Sequence, residues 1–231
     1  MKPIPPPPRL LPLLAGTAAG SLGPEDLAEI GITAAAVDIV ELALGLGLDR
    51  VERLGGLARL TGWEGPLVAV ARMASGRPAA TGWRARALPE LLSENEGTLK
   101  LRSAIDGGIL SLERLALADW ARRLGAEPAT SVAGDGAEVL EWEGGEPPPG
   151  ALLVSGVAQE RAREGRFWDG GGWTELATAA GAGSLVDGCG CRACAVASRG
   201  YLAHLWAMRE ITAEHLLGWH NLHQLHQMVE G

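Results

Sequence analysis

The sequence of 231 residues has little lysine, few cysteines and no long apolar run, and each shortage excludes a class of protein. Lysine occurs only at Lys2 and Lys100 and the net charge is −8, so the chain alone does not suit nucleic-acid binding through many phosphate contacts. Three clustered cysteines do not make a disulfide framework. No apolar run reaches the roughly 18 to 20 residues of a membrane-spanning helix, which predicts a soluble protein without membrane contact. The clustered thiols fit a reducing cytosol, so a cytoplasmic location is predicted.

The remaining composition is typical of a folded domain of ordinary size. Hydrophobic residues make up 47% and charged residues 21%, close to globular averages. Basic residues ahead of a short apolar stretch give the N-terminus a loose resemblance to a signal peptide. Pro5–Pro8 stiffen this stretch and Pro12 interrupts it, so we predict instead a proline-rich leader at 1–9 and a first strand at Leu10–Leu14.

Short apolar runs alternate with helical patterns along the chain, which predicts βα units and a mainly parallel sheet. Strands are predicted at Leu67–Val70 and Leu152–Val157, while Ala34–Leu44 fits either a strand or a helix. Apolar spacing predicts helices at Asp49–Leu60 and Ser111–Leu124. Irregular structure is predicted at 74–86 and 168–188.

All three cysteines lie in one segment, Cys189-Gly190-Cys191-Arg192-Ala193-Cys194, and all five histidines follow it. The C-x-C-x-x-C spacing gathers three sulfurs around one point, and one imidazole would complete a closed, tetrahedral zinc site. Closed sites are structural because no position remains for water or substrate. Reduced thiols in a loop, or a redox pair, are the alternatives.

Spacing alone does not identify the histidine that completes the site. Helical patterns cover 198–208 and 212–229, and at most one histidine on such helices is expected to bind the metal. The candidates are His204 on the first helix and His215, His220, His223 and His226 on the second.

Two further motifs follow the cysteines in order. Ser198–Leu205 reads Ser-Arg-Gly-Tyr-Leu-Ala-His-Leu, and Trp219–Leu222 reads Trp-His-Asn-Leu after Glu210. Together with the cysteine segment they resemble the zinc region of the tRNA-guanine transglycosylases, the queuine and archaeosine tRNA-ribosyltransferases. In that family the histidine of the His-Asn pair is the fourth zinc ligand. The resemblance therefore implies a structural Zn²⁺ held by Cys189, Cys191, Cys194 and His220.

Weaker similarities to the barrel of the same family occur upstream, at Pro12–Thr17, Leu22–Leu27, Leu54–Leu57, Gly62–Pro66 and Ser103–Gly108. A full (β/α)₈ barrel takes about 250 residues, and only a short stretch separates Asp135 from Leu152. The resemblance thus implies an α/β fold built as a shortened or incomplete TIM-like barrel over residues 10–188. A helical zinc-binding subdomain is expected over 189–231.

The sequence departs from the family at the two carboxylates that carry its chemistry, a nucleophilic Asp and an Asp that acts as general acid/base. After Pro66 this chain reads Leu-Val-Ala-Val-Ala-Arg where the family has Leu-Thr-Asp-Ser-Gly-Gly, and Val154 stands at the nucleophile position. Valine can neither attack an anomeric carbon nor carry a proton. The resemblance therefore implies a pseudoenzyme with no catalytic residue and no assigned substrate-binding residue.

The first hypothesis for function is a noncatalytic, zinc-containing partner in queuosine-type (7-deazaguanine) tRNA modification. In the family the zinc region contributes to a dimer interface. The resemblance thus implies a dimer through the zinc subdomain, with a catalytic transglycosylase or with a second copy, and tRNA bound through the partner.

Two other hypotheses stay open. One is a base-exchange or glycosyl-transfer enzyme with a remodelled site, acting on a 7-deazaguanine or related nucleoside. Its candidate carboxylates are Asp106, Asp135, Glu141 and Glu160. The other is an RNA-binding protein whose candidate contacts are Arg161, Arg163, Arg166, Phe167 and Trp168.

Overall fold

Six parallel strands form the main sheet in a computed structural model that describes residues 10–15, 21–72, 90–95, 98–102, 109–129, 139–148, 151–178 and 181–230. The strands in the described residues, in order, are β1 (Leu10–Ala15), β2 (Ala35–Asp38), β3 (Leu67–Val70), β4 (Glu90–Asn95), β5 (Thr98–Arg102), β6 (Ile109–Glu113), β7 (Glu127–Pro128), β8 (Val139–Glu141), β9 (Leu152–Ser155), β10 (Arg166–Trp168) and β11 (Trp173–Glu175). The predicted leader, the 74–86 loop and the turn at Ser103–Gly108 lie outside the described residues.

The main sheet has the order β7-β3-β2-β1-β9-β8, with every neighbouring pair parallel. Consecutive strands β1, β2 and β3 lie side by side, and β9 returns to the other side of β1, as the last strand of a closing barrel does. Among the described residues, the edge strands β7 and β8 pair with no further strand. The fold is therefore α/β, an incomplete TIM-like barrel, as predicted.

Alternate residues of the parallel strands form two separate cores, because successive side chains point to opposite faces of a sheet. One set packs with the helices and forms the main core, and Ala35, Val37 and Leu153 belong to it. The other set contains strand residues and forms the inner core of the half-barrel. This inner core consists of Leu11, Leu13, Ala34, Ala36, Val68, Val70, Leu152 and Val154.

Nine helices are described: α1 (Pro24–Ile30), α2 (Ile39–Gly45), α3 (Leu48–Arg53), α4 (Gly56–Thr61), α5 (Arg114–Arg123), α6 (Val157–Arg163), α7 (Arg192–Val196), α8 (Arg199–Ala207) and α9 (Ile211–Glu230). The stretch Ala34–Leu44 fitted either a strand or a helix, and it contains both. The change occurs at Asp38, whose Oδ1 accepts hydrogen bonds from the backbone N–H groups of Val40 and Glu41. This side chain caps α2 and satisfies its first free donors.

The single helix predicted at Asp49–Leu60 is wrong, since α3 and α4 divide it. Gly55 and Gly56 both have positive φ, at 99° and 84°, and this backbone conformation interrupts the helix at these two residues. The Leu57 N–H then bonds to the Leu124 carbonyl at 2.9 Å, so a distant segment fixes the break.

The helix predicted at Ser111–Leu124 begins later than expected, because Ser111 belongs to β6. Strands β4, β5 and β6 form an antiparallel sheet of their own, in which Lys100 pairs with Ser111. Pairing with β5 holds residues 109–113 extended despite their helical spacing. α5 then covers only Arg114–Arg123.

The C-terminal helices follow the predicted ranges closely, and α9 packs on α6, α1 and the β10 strand. They share the main core with the barrel strands. Residues 168–178 are not irregular as predicted, because β10 and β11 form an antiparallel hairpin that a 3₁₀ turn at Leu176–Thr178 follows. No helix in the described parts of the chain is both long and apolar enough for a bilayer.

Candidate metal centre

The three cysteines lie in the loop before α7 and at its first turn. Cys191 caps the helix, and its sulfur accepts the Cys194 N–H at 3.4 Å. The Cys189 N–H bonds to the Val186 carbonyl at 3.2 Å, which curls the preceding loop toward the helix. The C-x-C-x-x-C spacing therefore brings all three sulfurs to one side of this turn, and none of them forms a disulfide.

His220 supplies the fourth donor from the middle of α9 and is completely buried. Its Nδ1 lies 3.4 Å from the Cys191 sulfur, 3.5 Å from that of Cys194 and 3.8 Å from that of Cys189. All four donor atoms lie within 4.8 Å of one another. The structure thus brings together the four side chains that the sequence predicted.

These distances match the edges of a zinc tetrahedron. With Zn–S bonds of about 2.3 Å and a Zn–N bond of about 2.0 Å, a sulfur and a nitrogen on the same tetrahedral ion lie about 3.5 Å apart. Three thiolates and one imidazole are a donor set that selects zinc in structural sites and leaves no position for water. The cluster therefore confirms the prediction of a structural zinc site.

The sulfurs lie close enough together to shift the pKa of the thiols. The hydrogen bond between Cys191 and Cys194 raises the pKa of Cys191, and burial raises it further. The same bond lowers the pKa of Cys194, and contact with His220 also favours its thiolate. A divalent cation at the centre stabilises all three thiolates together, because it neutralises the charge that they would otherwise concentrate.

The His220-Asn221 pair clamps one residue of the β10 strand from both sides. His220 Nε2 lies 2.9 Å from the Trp168 carbonyl, so it donates to that oxygen while Nδ1 faces the sulfurs. Asn221 Oδ1 accepts the Trp168 N–H at 3.0 Å, and its Nδ2 donates to the carbonyls of Ala158 and Arg166. The pair thereby attaches α9 to the barrel and fixes the orientation of the imidazole.

The other histidines lie away from the sulfurs. His215 contacts Asp26 and the Ser21 carbonyl, while His223 stacks on Trp219 with ring centroids 5.4 Å apart. His226 faces Gly31 of the α1 cap, and His204 is exposed on α8. The structure therefore selects His220 by position, in agreement with the resemblance.

The residues of the RNA-binding hypothesis do not form an exposed surface. Phe167 and Trp168 are buried in the main core, so neither offers a face on which a base could stack. Arg163 is buried and pairs with Glu214 at 3.3 Å, and Arg161 pairs with Glu164 at 2.8 Å. Arg166 is partly buried and is the first residue of β10, the strand that also contains Phe167 and Trp168.

The carboxylates of the remodelled-enzyme hypothesis do not form a cluster in the described residues. Asp106 and Asp135 lie outside those residues, and Glu141 is placed only as part of strand β8. Glu160, at the start of α6, accepts a hydrogen bond from Arg72 at 3.3 Å.

The sequence reasoning missed Asp38, a fully buried carboxyl at the carboxyl end of β2. Its alternation with Ala34 and Ala36 places it on the inner face of the half-barrel, and its Oδ2 has no hydrogen-bond partner. Burial, and then the nearby Glu41 carboxylate, raise the pKa of Asp38 to about 7. The sequence signal that could have identified Asp38 was an acidic residue at the end of a short apolar run.

The two positions at which the resemblance expects the family's carboxylates are apolar and buried here. Val154 belongs to the inner core, beside Leu11 in the paired strand β1. Ala69 lies in β3 and belongs to the main core.

Comparison with known proteins also points to the C-terminal region. A family model described as queuine tRNA-ribosyltransferase matches residues 157–231. Proteins named queuine tRNA-ribosyltransferase from Cereibacter sphaeroides and Ruegeria pomeroyi are 45% and 43% identical to this chain over 47 residues. The aligned stretch covers 20% of this chain and 12% of each relative. Residues 157–231, which hold the His220-Asn221 clamp, are therefore similar to the C-terminal region of the queuine tRNA-ribosyltransferase family.

Proposed function

We propose that the protein is a noncatalytic, zinc-containing partner subunit in queuosine-type (7-deazaguanine) tRNA modification. One combination supports the proposal: the donor set of a zinc centre is complete, while the position that the resemblance assigns to the family's nucleophile holds the buried Val154. A side chain that must attack a sugar carbon needs a lone pair, and valine has none.

The side chains around Val154 support loss of the family's base-exchange reaction, rather than a change of only one catalytic group. Val154 is 3% exposed and packs in an inner core of aliphatic side chains. Ala69, where the resemblance expects the second carboxylate, is also buried. Charged intermediates of base exchange have no partner in such surroundings, because an apolar core destabilises charge.

We propose Cys189, Cys191, Cys194 and His220 as the zinc ligands, with a structural role. Bound zinc supplies cross-linking energy, joining the loop before α7 to α9. We also propose that the chain is divided into a leader at 1–9, a barrel at 10–188 and a zinc subdomain at 189–231. All four proposed ligands lie in the zinc subdomain. The subdomain is defined by its metal, although it shares the barrel's core.

The surface of the zinc subdomain supports a role in association. Four of the six large apolar side chains that are exposed in the described residues lie in or beside α7, α8 and α9. They are Val196, Tyr201, Met208 and Ile211. Exposed apolar side chains of this size are typical of interfaces. With a net charge of −8, the chain would reach tRNA in the cytoplasm through a catalytic partner or a second copy.

Coexpression with a full-length transglycosylase from the same genome tests the proposal. We expect the two chains to copurify and elute together at the size of a heterodimer, and Ile211→Asp to weaken the complex. The matched control is Leu54→Asp, a change at an exposed leucine between α3 and α4. A chain that stays monomeric and never alters guanine exchange by the transglycosylase contradicts the proposal, whereas self-association alone would support the homodimer form.

Asp38 favours a second candidate, an enzyme with a remodelled site acting on a 7-deazaguanine or related nucleoside. A buried carboxyl with one unpartnered oxygen, at the carboxyl end of a parallel strand, has the position and protonation of a general acid. Base exchange by this chain alone, abolished in Asp38→Asn, would establish this candidate. Absence of exchange by the isolated, zinc-loaded chain would reject it.

A further inference from the structure

Two sulfurs of the metal centre accept a hydrogen bond from an N–H group, and the two donors differ in kind. The backbone N–H of Cys194 donates to the Cys191 sulfur at 3.4 Å. Cys189 instead receives a side-chain donor, because Gln224 Nε2 lies 3.2 Å from its sulfur. A thiolate only accepts hydrogen bonds, so the amide nitrogen must face it.

Helix α9 explains why Gln224 reaches the centre. Gln224 lies four residues after His220, so the two side chains share one face of the helix, one turn apart. The same helix thus provides a metal-binding nitrogen at one turn and a donor to the metal-binding sulfur at the next. The hydrogen bond from His220 to Trp168 holds this face in place.

Cys189 is the sulfur that needs such support most. It lies farthest from His220 Nδ1, at 3.8 Å, and it is partly exposed, whereas Cys191 is buried. Gly188, with a φ of 79°, and Gly190 flank it, and both add backbone freedom. An exposed thiolate in a flexible loop is the ligand of a zinc centre that leaves first and is attacked first by electrophiles.

We propose that Gln224 is a positioning residue of the metal centre, which holds the Cys189 thiolate on the zinc ion and lowers its reactivity. The inference rests on the proposed zinc ligands and goes beyond them. Three thiolates and one neutral imidazole leave a zinc centre with one net negative charge. An N–H donor at this partly exposed sulfur disperses part of that charge, and donors around metal ligands commonly alter metal affinity.

The test compares zinc release and cysteine alkylation in the full chain loaded with zinc. Gln224→Met keeps the length and flexibility of the side chain and removes the N–H, while Gln224→Glu also places a carboxylate against the sulfur. Gln227→Met is the matched control, because Gln227 is exposed on the same helix one turn later. Release is followed with a chromogenic zinc chelator, and alkylation by iodoacetamide is mapped by mass spectrometry.

We expect zinc to leave Gln224→Met about 10-fold faster than wild type, and Gln224→Glu at least as fast. Cys189 should be alkylated ahead of Cys191 and Cys194 in both variants, and Gln227→Met should match wild type. A general loosening of the fold would instead expose all three cysteines alike, and that result would overturn the proposal.

The outcome also separates this inference from the zinc assignment. Wild-type protein that holds one equivalent of zinc, with Gln224 variants that release it at the wild-type rate, would refute the role of Gln224 alone. Wild-type protein that binds no zinc would refute both.

Discussion

His220 and Trp168 are joined by a hydrogen bond of 2.9 Å between Nε2 of the imidazole and the backbone carbonyl. This contact links the metal centre to the hairpin that extends from the barrel, because the opposite ring nitrogen faces the three sulfurs. The adjacent Asn221 accepts the N–H of the same tryptophan. The His-Asn pair therefore works as one unit. His220 faces the sulfurs of the metal centre, and both residues attach α9 to the hairpin through Trp168.

Replacing His220 with Ala should remove about one equivalent of zinc, since a fourfold site loses its nitrogen donor. Cys191→Ser should do the same and should reduce the order of the C-terminal helices. His223→Ala is the control, because His223 stacks on Trp219 instead of facing the sulfurs. Elemental analysis after dialysis measures the zinc and circular dichroism the helix content. Full helical order in metal-free protein would contradict a structural role for zinc.

Asn221→Ala should destabilise the protein by about 3 kcal/mol or more, measured by urea unfolding in excess zinc. The substitution leaves the Trp168 N–H and the carbonyls of Ala158 and Arg166 without their side-chain partner. Asn221→Asp keeps the acceptor and loses both donors, so we expect it to remain destabilised. If Asn221→Ala lowers the free energy of unfolding by less than about 1 kcal/mol, water replaces the hydrogen bonds of Asn221.

Gly165→Ala should destabilise the protein by about 1 to 3 kcal/mol. Gly165 has a φ of 73°, and a Cβ there would lie 2.5 Å from the Trp206 ring of α8. Gly172→Ala is the matched control, since no atom lies within 4 Å of its added Cβ and its φ is not positive. The urea midpoints of the two variants give the comparison, and equal midpoints would contradict the predicted clash.

Asp38 should make stability fall as pH rises from about 4 to about 7. Its folded pKa of about 7 lies above the ordinary aspartate pKa of 3.8, so the native state holds the proton across this interval and the unfolded state releases it. The contribution is complete below pH 4 and lost above pH 7, on the order of 4 kcal/mol. Asp38→Asn keeps a capping oxygen and removes the titration.

The difference in unfolding free energy between wild type and Asp38→Asn should therefore change across this pH range. Asp49→Asn, at an exposed position of α3, should leave the profile of wild type unchanged. A pH-independent difference for Asp38→Asn would mean that the carboxyl is ionised in the folded protein throughout.

Local patterns predicted the C-terminal helices, the strand at Leu67–Val70 and a strand at Leu152–Val157 that in fact ends at Ser155, because apolar periodicity and short apolar runs are local properties. They failed at Ser111, where pairing with Lys100 overrides the helical spacing, and at Gly55, where positive φ ends a helix. Pairing with another strand, and the contact of Leu57 with Leu124 that fixes the break after α3, involve residues outside the segment whose spacing was read.

The sequence by itself determined the metal chemistry, since three thiols at C-x-C-x-x-C spacing can reach one ion in almost any turn. Spacing left five histidines open and the resemblance implied His220, but only the tertiary structure gives the physical reason: the packing of α9 against α6 brings His220 to the sulfurs. Burial likewise decided the state of Asp38 and the contact of Gln224 with Cys189. Both depend on which atoms lie nearby in space, whatever their separation along the chain.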